Sequence, residues 1–386
     1  MLIAVSFCLF LVYYQTQYKK SSWYNFSIMD NKETTIQYRR NRKKGASVVE
    51  TLAKAQEICF APFTFQTVAT MLDLGIMDYL KDNSATLEEV MKHCNVSKYC
   101  AKTVFEVAIL ADIVSMEDDK FTLTRLGETF LDNEMTRVNF NFMRDCCYLG
   151  ASELKESFVQ GQPVGLQKFI ENSPTIYPLL TKLPPHIQKS WYDFDHYYSD
   201  TCFDDVLKIM FKDNPKEVFD IGGNTGKFEK ACLAFNKDIK VTMLDLPENL
   251  DRAKANINSD RCNYYGINVI AQNPIFPKMQ GAVLMSQFLD CFSEEQVISI
   301  LSNVSKVAED NTHIYILEPF IDNQQFKGAA YALTHTSLYF TCMANGTSKM
   351  YSEKDMTEFV DKAGLKVVNK YTIGIHDYTL LECMKK

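Results

Sequence analysis

Apolar and polar positions divide the chain into two different patterns. From Ser47 to about Leu80 apolar residues return at helical spacing, at Val48, Leu52, Ala55, Ile58 and Cys59, then at Met71, Leu72, Leu74 and Ile76. That period predicts helices with broad apolar faces, which must pack on something, a partner subunit being one solution. Ala85–Val90 carries a helix start, with Thr86 placed to cap and Glu89 three residues on. A helix through Thr103–Leu110 follows, then a hairpin-like Ile113–Leu126 with a polar tip at Glu117–Lys120. Helix, turn, helix and β-wing is a winged-helix order. Residues 127–200 are aromatic-rich and helical, punctuated by Pro163, Pro174, Pro178 and the Pro184-Pro185 pair.

From Lys216 the pattern changes. Strand-like runs at Glu217–Ile221, Ile239–Leu244, Gly281–Leu289, His313–Pro319, Leu365–Tyr371 and Thr379–Cys383 alternate with helical stretches. Those stretches are Lys227–Phe235, Glu248–Asn258, Glu294–Ala308 and Ser352–Ala363. Alternating β and α predicts a parallel-type sheet with helices on both faces. The chain thus divides into an extension over 1–46, a helical winged-helix domain over 47–200 and an α/β domain over 201–386.

Composition agrees with this division. At 386 residues the chain exceeds one compact core. Hydrophobic residues at 46% and charged residues at 23% are ordinary for a globular protein. A net charge of -7 disfavours nucleic acid, and the candidate recognition helix offers only Lys98 and Lys102 beside an acidic wing tip. The twelve cysteines are scattered from Cys8 to Cys383, with one adjacent pair at Cys146-Cys147 and no C-x-x-C. That spacing gives no zinc site, and the thiols read as small apolar core residues in a reducing cytoplasm. Leu2–Tyr14 is an apolar run broken only by Ser6. It falls short of the roughly 20 residues of a spanning helix and lacks a basic leader. The expectation is a true start at Met29, with a weak signal-anchor as the other reading; nothing else suggests a membrane.

Asp220-Ile-Gly-Gly-Asn-Thr-Gly226 lies at the carboxyl end of the first strand of the α/β part, where open α/β sheets bind ligands. Gly222, Gly223 and Gly226 allow a tight turn and close backbone approach. The spacing is G-G-x-x-G rather than the G-x-G-x-x-G that seats a pyrophosphate. Asp245, followed by Leu246, ends the second strand and can accept ribose hydroxyls. Loop and carboxylate together point to S-adenosylmethionine, which carries no phosphate; an NAD enzyme or an empty Rossmann shell is the competing reading.

These residues resemble those of the two-domain small-molecule O-methyltransferases. Phe219–Gly226 is similar to the family's V-D-[VL]-G-G-G-x-G loop and Leu244-Asp-Leu-Pro247 to its F-D-L-P. Leu72–Ile76 with Phe121–Gly127 resembles the dimerisation winged helix, and Met285–Glu295 followed by Ile316–Pro319 resembles the segment that carries catalysis. The resemblance implies an α/β, Rossmann-like, S-adenosylmethionine-dependent domain preceded by an all-helical or winged-helix dimerisation domain, in a homodimer. It further implies cofactor contacts near Asn268 and Val269, after the third strand, and at Ser286. An acceptor pocket would be lined by Phe194, Tyr198, His335 and Tyr339.

The departures bear on the chemistry. The family's L-H-D-W-S-D-E is Leu289-Asp-Cys-Phe-Ser-Glu-Glu295 here, so the position of the family's general base is Asp290. A basic residue four positions earlier is Ser286, and an acidic partner before the last helix falls near Met350, while Glu318 is retained. Methyl transfer to a phenol requires alignment and proton removal, and a carboxylate of ordinary pKa near 3.9 is a weak base for it unless burial raises that value. Three readings stay open: Asp290 with Glu318 replaces the base, His196 or His335 supplies one, or ordinary phenol methylation is lost. The first expectation is an O-methyltransferase of a small aromatic hydroxylated metabolite. The alternatives are an S-adenosylmethionine-binding enzyme that has left methyl transfer, and a non-catalytic winged-helix regulator.

Overall fold

The computed structural model describes residues 47–386 apart from Asn172, Ile375 and His376. The extension, its apolar run and Met29 lie outside the described residues. Ser47 closes α1 (Val48–Asp73) with reciprocal bonds to Glu50, and α1 ends at Gly75, whose φ of 69° releases α2 (Ile76–Leu80) in a new direction. Thr86 and Glu89 form the expected capping box at the start of α3 (Leu87–Cys94). Ser97 caps α4 (Lys98–Leu110). β2 (Val114–Glu117) and β3 (Lys120–Leu123) make the wing, turning at Asp118 and Asp119, both with positive φ. A two-residue strand, β1 (Ala85–Thr86), pairs with β3, giving the order β1-β3-β2. It is too short to show alternation, which is why the sequence displayed only the helix start that follows it. Met71, Ile76, Met77, Phe105 and Phe121 fill the core of this unit. By contrast Val48, Leu52, Ile58, Phe60 and Phe63 along the first half of α1 are 51% to 75% exposed.

A helical segment links this unit to the sheet: α5 (Arg125–Asp132), α6 (Glu134–Asn141), α7 (Leu154–Gln160), α8 (Pro185–Ser199) and α9 (Phe203–Met210). Pro185 stands in the first turn of α8, where its missing N–H costs nothing.

The sheet has seven strands in the order β6-β5-β4-β7-β8-β10-β9. They are β4 (Glu217–Ile221), β5 (Lys240–Asp245), β6 (Cys262–Gly266), β7 (Ala282–Ser286), β8 (His313–Glu318), β9 (Leu365–Ile373) and β10 (Tyr378–Lys385). β4 to β8 run parallel, whereas β10 pairs antiparallel with both β8 and β9. The parallel-type sheet thus carries an antiparallel edge, because the short link between β9 and β10 leaves no room for a crossover. β6, the third strand implied by the resemblance before Asn268, shows no strand-like run of its own because Asn263-Tyr-Tyr-Gly266 lacks a long apolar stretch, and Gly281–Leu289 shortens to β7 followed by a turn at Leu289–Cys291. The helices of this half are α10 (Lys227–Phe235), α11 (Pro247–Asn256), α12 (Glu294–Val307), α13 (Lys327–Tyr339) and α14 (Glu353–Lys362). Separate apolar clusters on the two faces bury the central strands, as a sheet covered on both sides requires. A further cluster joins Phe142, Cys146, Leu180 and Ile187 of the linking segment to Tyr339 and Met343, so the two halves share a core. Strand order reverses between β4 and β7, which opens the crevice at their carboxyl ends. Among the described residues no helix is long and apolar enough to cross a membrane.

Candidate active site

β4 delivers Asp220 to that crevice, and the glycine turn follows at once. Gly222 (φ 90°) donates to Leu244 O at 2.8 Å, and Gly226 (φ 82°) donates to Gly223 O at 2.9 Å. A Cβ at Gly222 would stand 2.2 Å from the Phe288 ring, and one at Gly223 would stand 2.3 Å from Glu229 Oε1. Only glycine fits either place. Beneath the turn, burial pushes Asp220 up to about 7 and holds Glu229, which has no solvent exposure, well above the carboxylate range, with Asp220 adding to the effect. Asp245 Oδ1 accepts from Leu246 N at 2.6 Å and Asn249 Nδ2 at 2.8 Å, while Oδ2 accepts from Asn224 N at 2.8 Å. One lone pair on Oδ2 is left for a ligand hydroxyl, so the carboxylate fits one ribose hydroxyl better than two. Ile267 N donates to Asp245 O at 2.9 Å, which brings the end of β6 alongside. Val269 is buried there, whereas Asn268 is exposed and its side chain accepts from Ile270 N at 3.1 Å.

A second group gathers where β7 and β8 end. Gln287 adopts φ 48°, an unusual conformation for a side-chain-bearing residue of the kind found at functional sites. Glu318 Oε1 accepts from Phe288 N at 3.1 Å and Leu289 N at 2.9 Å. Its Oε2 has no partner among the described residues, nor has Ser286 Oγ. Asp290, 6% exposed, and Glu318, 2% exposed, line one seam with Pro319, Phe320, Met350 and Tyr351, too narrow to admit a water molecule. Burial pushes Asp290 up to about 6 against the hydrogen bond from Cys291, and burial followed by the charge of Asp290 holds Glu318 well above its ordinary value. Met350 gives this seam an apolar wall where the family pattern suggested a carboxylate.

α8 closes the third side. Asn224 Nδ2 donates to Asp195 Oδ2 at 3.1 Å, Lys227 pairs with Asp200 at 2.5 Å, and Arg252 donates to the Tyr192 hydroxyl. Burial, with the charge of Asp290 next, pushes Asp195 up to about 7. Phe194 stacks on Phe142 at 4.1 Å and meets Tyr198 edge-on at 5.1 Å. Tyr198 donates to Asn139 Oδ1 at 2.8 Å, and the buried Tyr339 hydroxyl accepts from Trp191 Nε1 at 2.8 Å.

The two candidate histidines are placed differently. His196 lies 3.8 Å from both Asp195 and Asp200, and burial, then Lys227, lowers its pKa. His335 is exposed on α13, its Nδ1 2.7 Å from Tyr331 O and its ring stacked on Tyr331 at 3.9 Å. Asp195, Asn224, Glu229 and Phe288 were missed. Only Asp195 carried a signal, as an acid one helical turn from Trp191 and Tyr198 on an otherwise aromatic face. At the opposite strand ends, Asp213, His313 and Glu382 form the one group of metal-ligand type among the described residues. Glu382 there is already bound by His313, Asn369 and Tyr371, which reads as a buried anchor for β10.

Residues 53–121 match the Dimerisation2-like domain and residues 183–366 the O-methyltransferase domain, together about two thirds of the chain. The chain belongs to the two-domain O-methyltransferase family. Methyl transfer to oxygen is the chemistry for which the matched domain is named. "O-methyltransferase 7" of Dictyostelium discoideum is 17% identical over 298 residues, covering 77% of this chain and 84% of that protein. Among solved structures, an O-methyltransferase from neocarzinostatin biosynthesis, in complex with S-adenosylmethionine and 2-hydroxy-5-methyl naphthoic acid, superposes with a TM-score of 0.64 at 18% identity, covering 84% of this chain and 96% of that one. A structure described as a pericyclic reaction enzyme superposes equally well, with a TM-score of 0.64 at 16% identity over 90% of this chain and 92% of that one.

Proposed function

We propose that this family member methylates the hydroxyl of a small aromatic metabolite, with Asp290 as the base that removes the acceptor's proton. The observation that carries this reading is the burial of Asp290 beside Glu318, at the position of the family's general base, with its pKa pushed up to about 6. A carboxylate poised there is ionised at pH 7 yet far more basic than an exposed aspartate, which is what proton removal near neutrality needs. Glu318 holds the turn that presents it. When bound, the cofactor supplies an electrophilic methyl group on a sulfonium. Asp220, Gly222, Gly223, Gly226, Asp245, Leu246, Asn268, Val269 and Ser286 would hold it, and Phe194, Tyr198 and Tyr339 would wall the acceptor. The exposed apolar side chains of α1 support a homodimer, and the acidic wing and sparse lysines of α4 give nucleic acid nothing to bind. The eleven unbridged cysteines among the described residues, most of them buried, suit a reducing cytoplasm.

The test is methyl-labelled S-adenosylmethionine mixed with a panel of phenols: transfer of label supports this reading. A second reading, an enzyme of this fold that has left methyl transfer, is favoured by Ser286 and Met350 standing where the family has charged groups. Cofactor binding without label transfer to any phenol would support it instead.

A further inference from the structure

Glu318 holds only the first half of the turn that carries Asp290, through Phe288 N and Leu289 N. The second half is held by a different part of the chain. Cys291 O accepts from Asn345 Nδ2 at 2.8 Å, and Phe292 O accepts from the Tyr351 hydroxyl at 2.7 Å. Asp290 thus lies between two anchors, and the second comes from the segment that follows α13.

Asn345 is committed to one orientation. Its Oδ1 accepts from Thr347 N and Ser348 N, both at 2.9 Å, and its Nδ2 donates to Ser348 Oγ at 2.7 Å as well as to Cys291 O. Both amide hydrogens and both oxygen lone pairs are therefore used. Turning the carboxamide over would set its NH2 group against two backbone N–H donors, so the donor stays on Cys291 O.

The segment that presents Asn345 belongs to the aromatic wall of the site. α13 runs from Tyr339 into a π-helical stretch, Phe340–Ala344, closed by Asn345 N and Gly346 N, which both donate to Phe340 O at 3.1 and 3.0 Å. Such stretches are rare and recur at functional sites. The Tyr339 ring meets Phe142 edge-on at 4.9 Å, and Phe142 opens a second π-helical stretch, Phe142–Cys147. Both stretches pack in one apolar cluster, against which Phe194 and Cys291 also pack. Asn345 is the hydrogen bond that ties this wall to the Asp290 turn.

We propose that Asn345 is a positioning residue for Asp290: by fixing the neighbouring carbonyl it sets the base against an acceptor seated on the Tyr339 wall. This rests on the methyltransferase reading above for the role of Asp290, though not for the tie itself. A misplacement of about 1 Å at a reacting group can cost about 10²-fold in rate, so one bond at this place has a large effect.

Asn345→Asp tests the tie, because a carboxylate still accepts from Thr347 N and Ser348 N but cannot donate to Cys291 O. Tyr351→Phe, which loses only the bond to Phe292 O, is the milder companion. Hydrogen exchange of the full chain, read by mass spectrometry without any acceptor, should be about three- to tenfold faster over residues 286–293 in Asn345→Asp, and faster by less in Tyr351→Phe. Single-turnover methyl transfer by Asn345→Asp should fall about 10²-fold on the high-pH plateau, where the added charge does not change how far Asp290 is ionised. Affinity for S-adenosylhomocysteine should stay within about twofold. In an Asp290→Asn background the same substitution should cost less than about threefold, since it acts through the base.

Faster exchange confined to 340–348 overturns the proposal, because Asn345 would then only close its own loop. Rate losses that multiply in the double variant overturn it too, as does an Asn345→Asp enzyme with the original rate. If the unaltered protein transfers no label to any phenol, the methyltransferase reading fails. Faster exchange over 286–293 then still upholds the tie, and unchanged exchange overturns it.

Discussion

The carboxylate of Glu318 accepts the backbone amide of Leu289 at 2.9 Å, so the end of β8 physically holds the turn that presents Asp290. The same oxygen takes Phe288 N, and Glu318 itself lines a seam with no room for a water molecule. Glu318→Ala should therefore strand two amides and cost about 2–5 kcal/mol in denaturant unfolding. Glu318→Gln keeps an acceptor in place and should cost under about 1 kcal/mol.

Gly222 and Phe288 touch across the crevice, which couples the cofactor turn to the Asp290 turn. Gly222→Ala adds a Cβ 2.2 Å from the ring at φ 90°. It should destabilise the fold by more than about 1 kcal/mol. It should also weaken S-adenosylhomocysteine at least tenfold by calorimetry, about 1.4 kcal/mol.

Beneath the turn, Asp220 and Glu229 both have folded pKa values raised by burial. Between the unfolded value near 4 and the folded value, the native state binds more protons than the unfolded chain. Stability is therefore lost as pH rises through that window. Glu229→Gln removes one titrating group, so its melting temperature should exceed that of the unaltered protein at pH 8 by about 2 °C or more, and by less at pH 5.

The exposed face of α1 offers a direct oligomer test. Ile58→Glu with Phe63→Glu, at positions 68% and 72% exposed, should leave each chain folded but convert a dimer to monomers in sedimentation equilibrium. Two charges facing their symmetry copies across an apolar interface are not tolerated.

Much of the fold was legible because the signals were local. Thr86 with Glu89 announced a capping box, and the Asp220–Gly226 turn between a buried strand and α10 announced a ligand loop. What stayed hidden depended on distant pairing. β1 exists only because β3 lies beside it, and β10 runs antiparallel because the chain returns directly from β9. The site divides in the same way. Asp290 and Glu318 could be named from their segments, but Asp195 joins them only because α8 packs over Asn224. His335 looked available in sequence and is turned outward, its ring stacked on Tyr331. Spacing along a helix does not reveal which of its faces another element covers.

The most direct test of the base assignment is the pH dependence of single-turnover methyl transfer to whichever phenol accepts label. Asp290 serves as a base only when ionised, so the rate should rise with pH through about 6 and level off above it. Asp290→Asn should lower the plateau by about 10²–10⁴-fold, the range for loss of a general base, without loss of S-adenosylhomocysteine binding. An Asp290→Asn enzyme that keeps the original rate and pH profile would contradict the account.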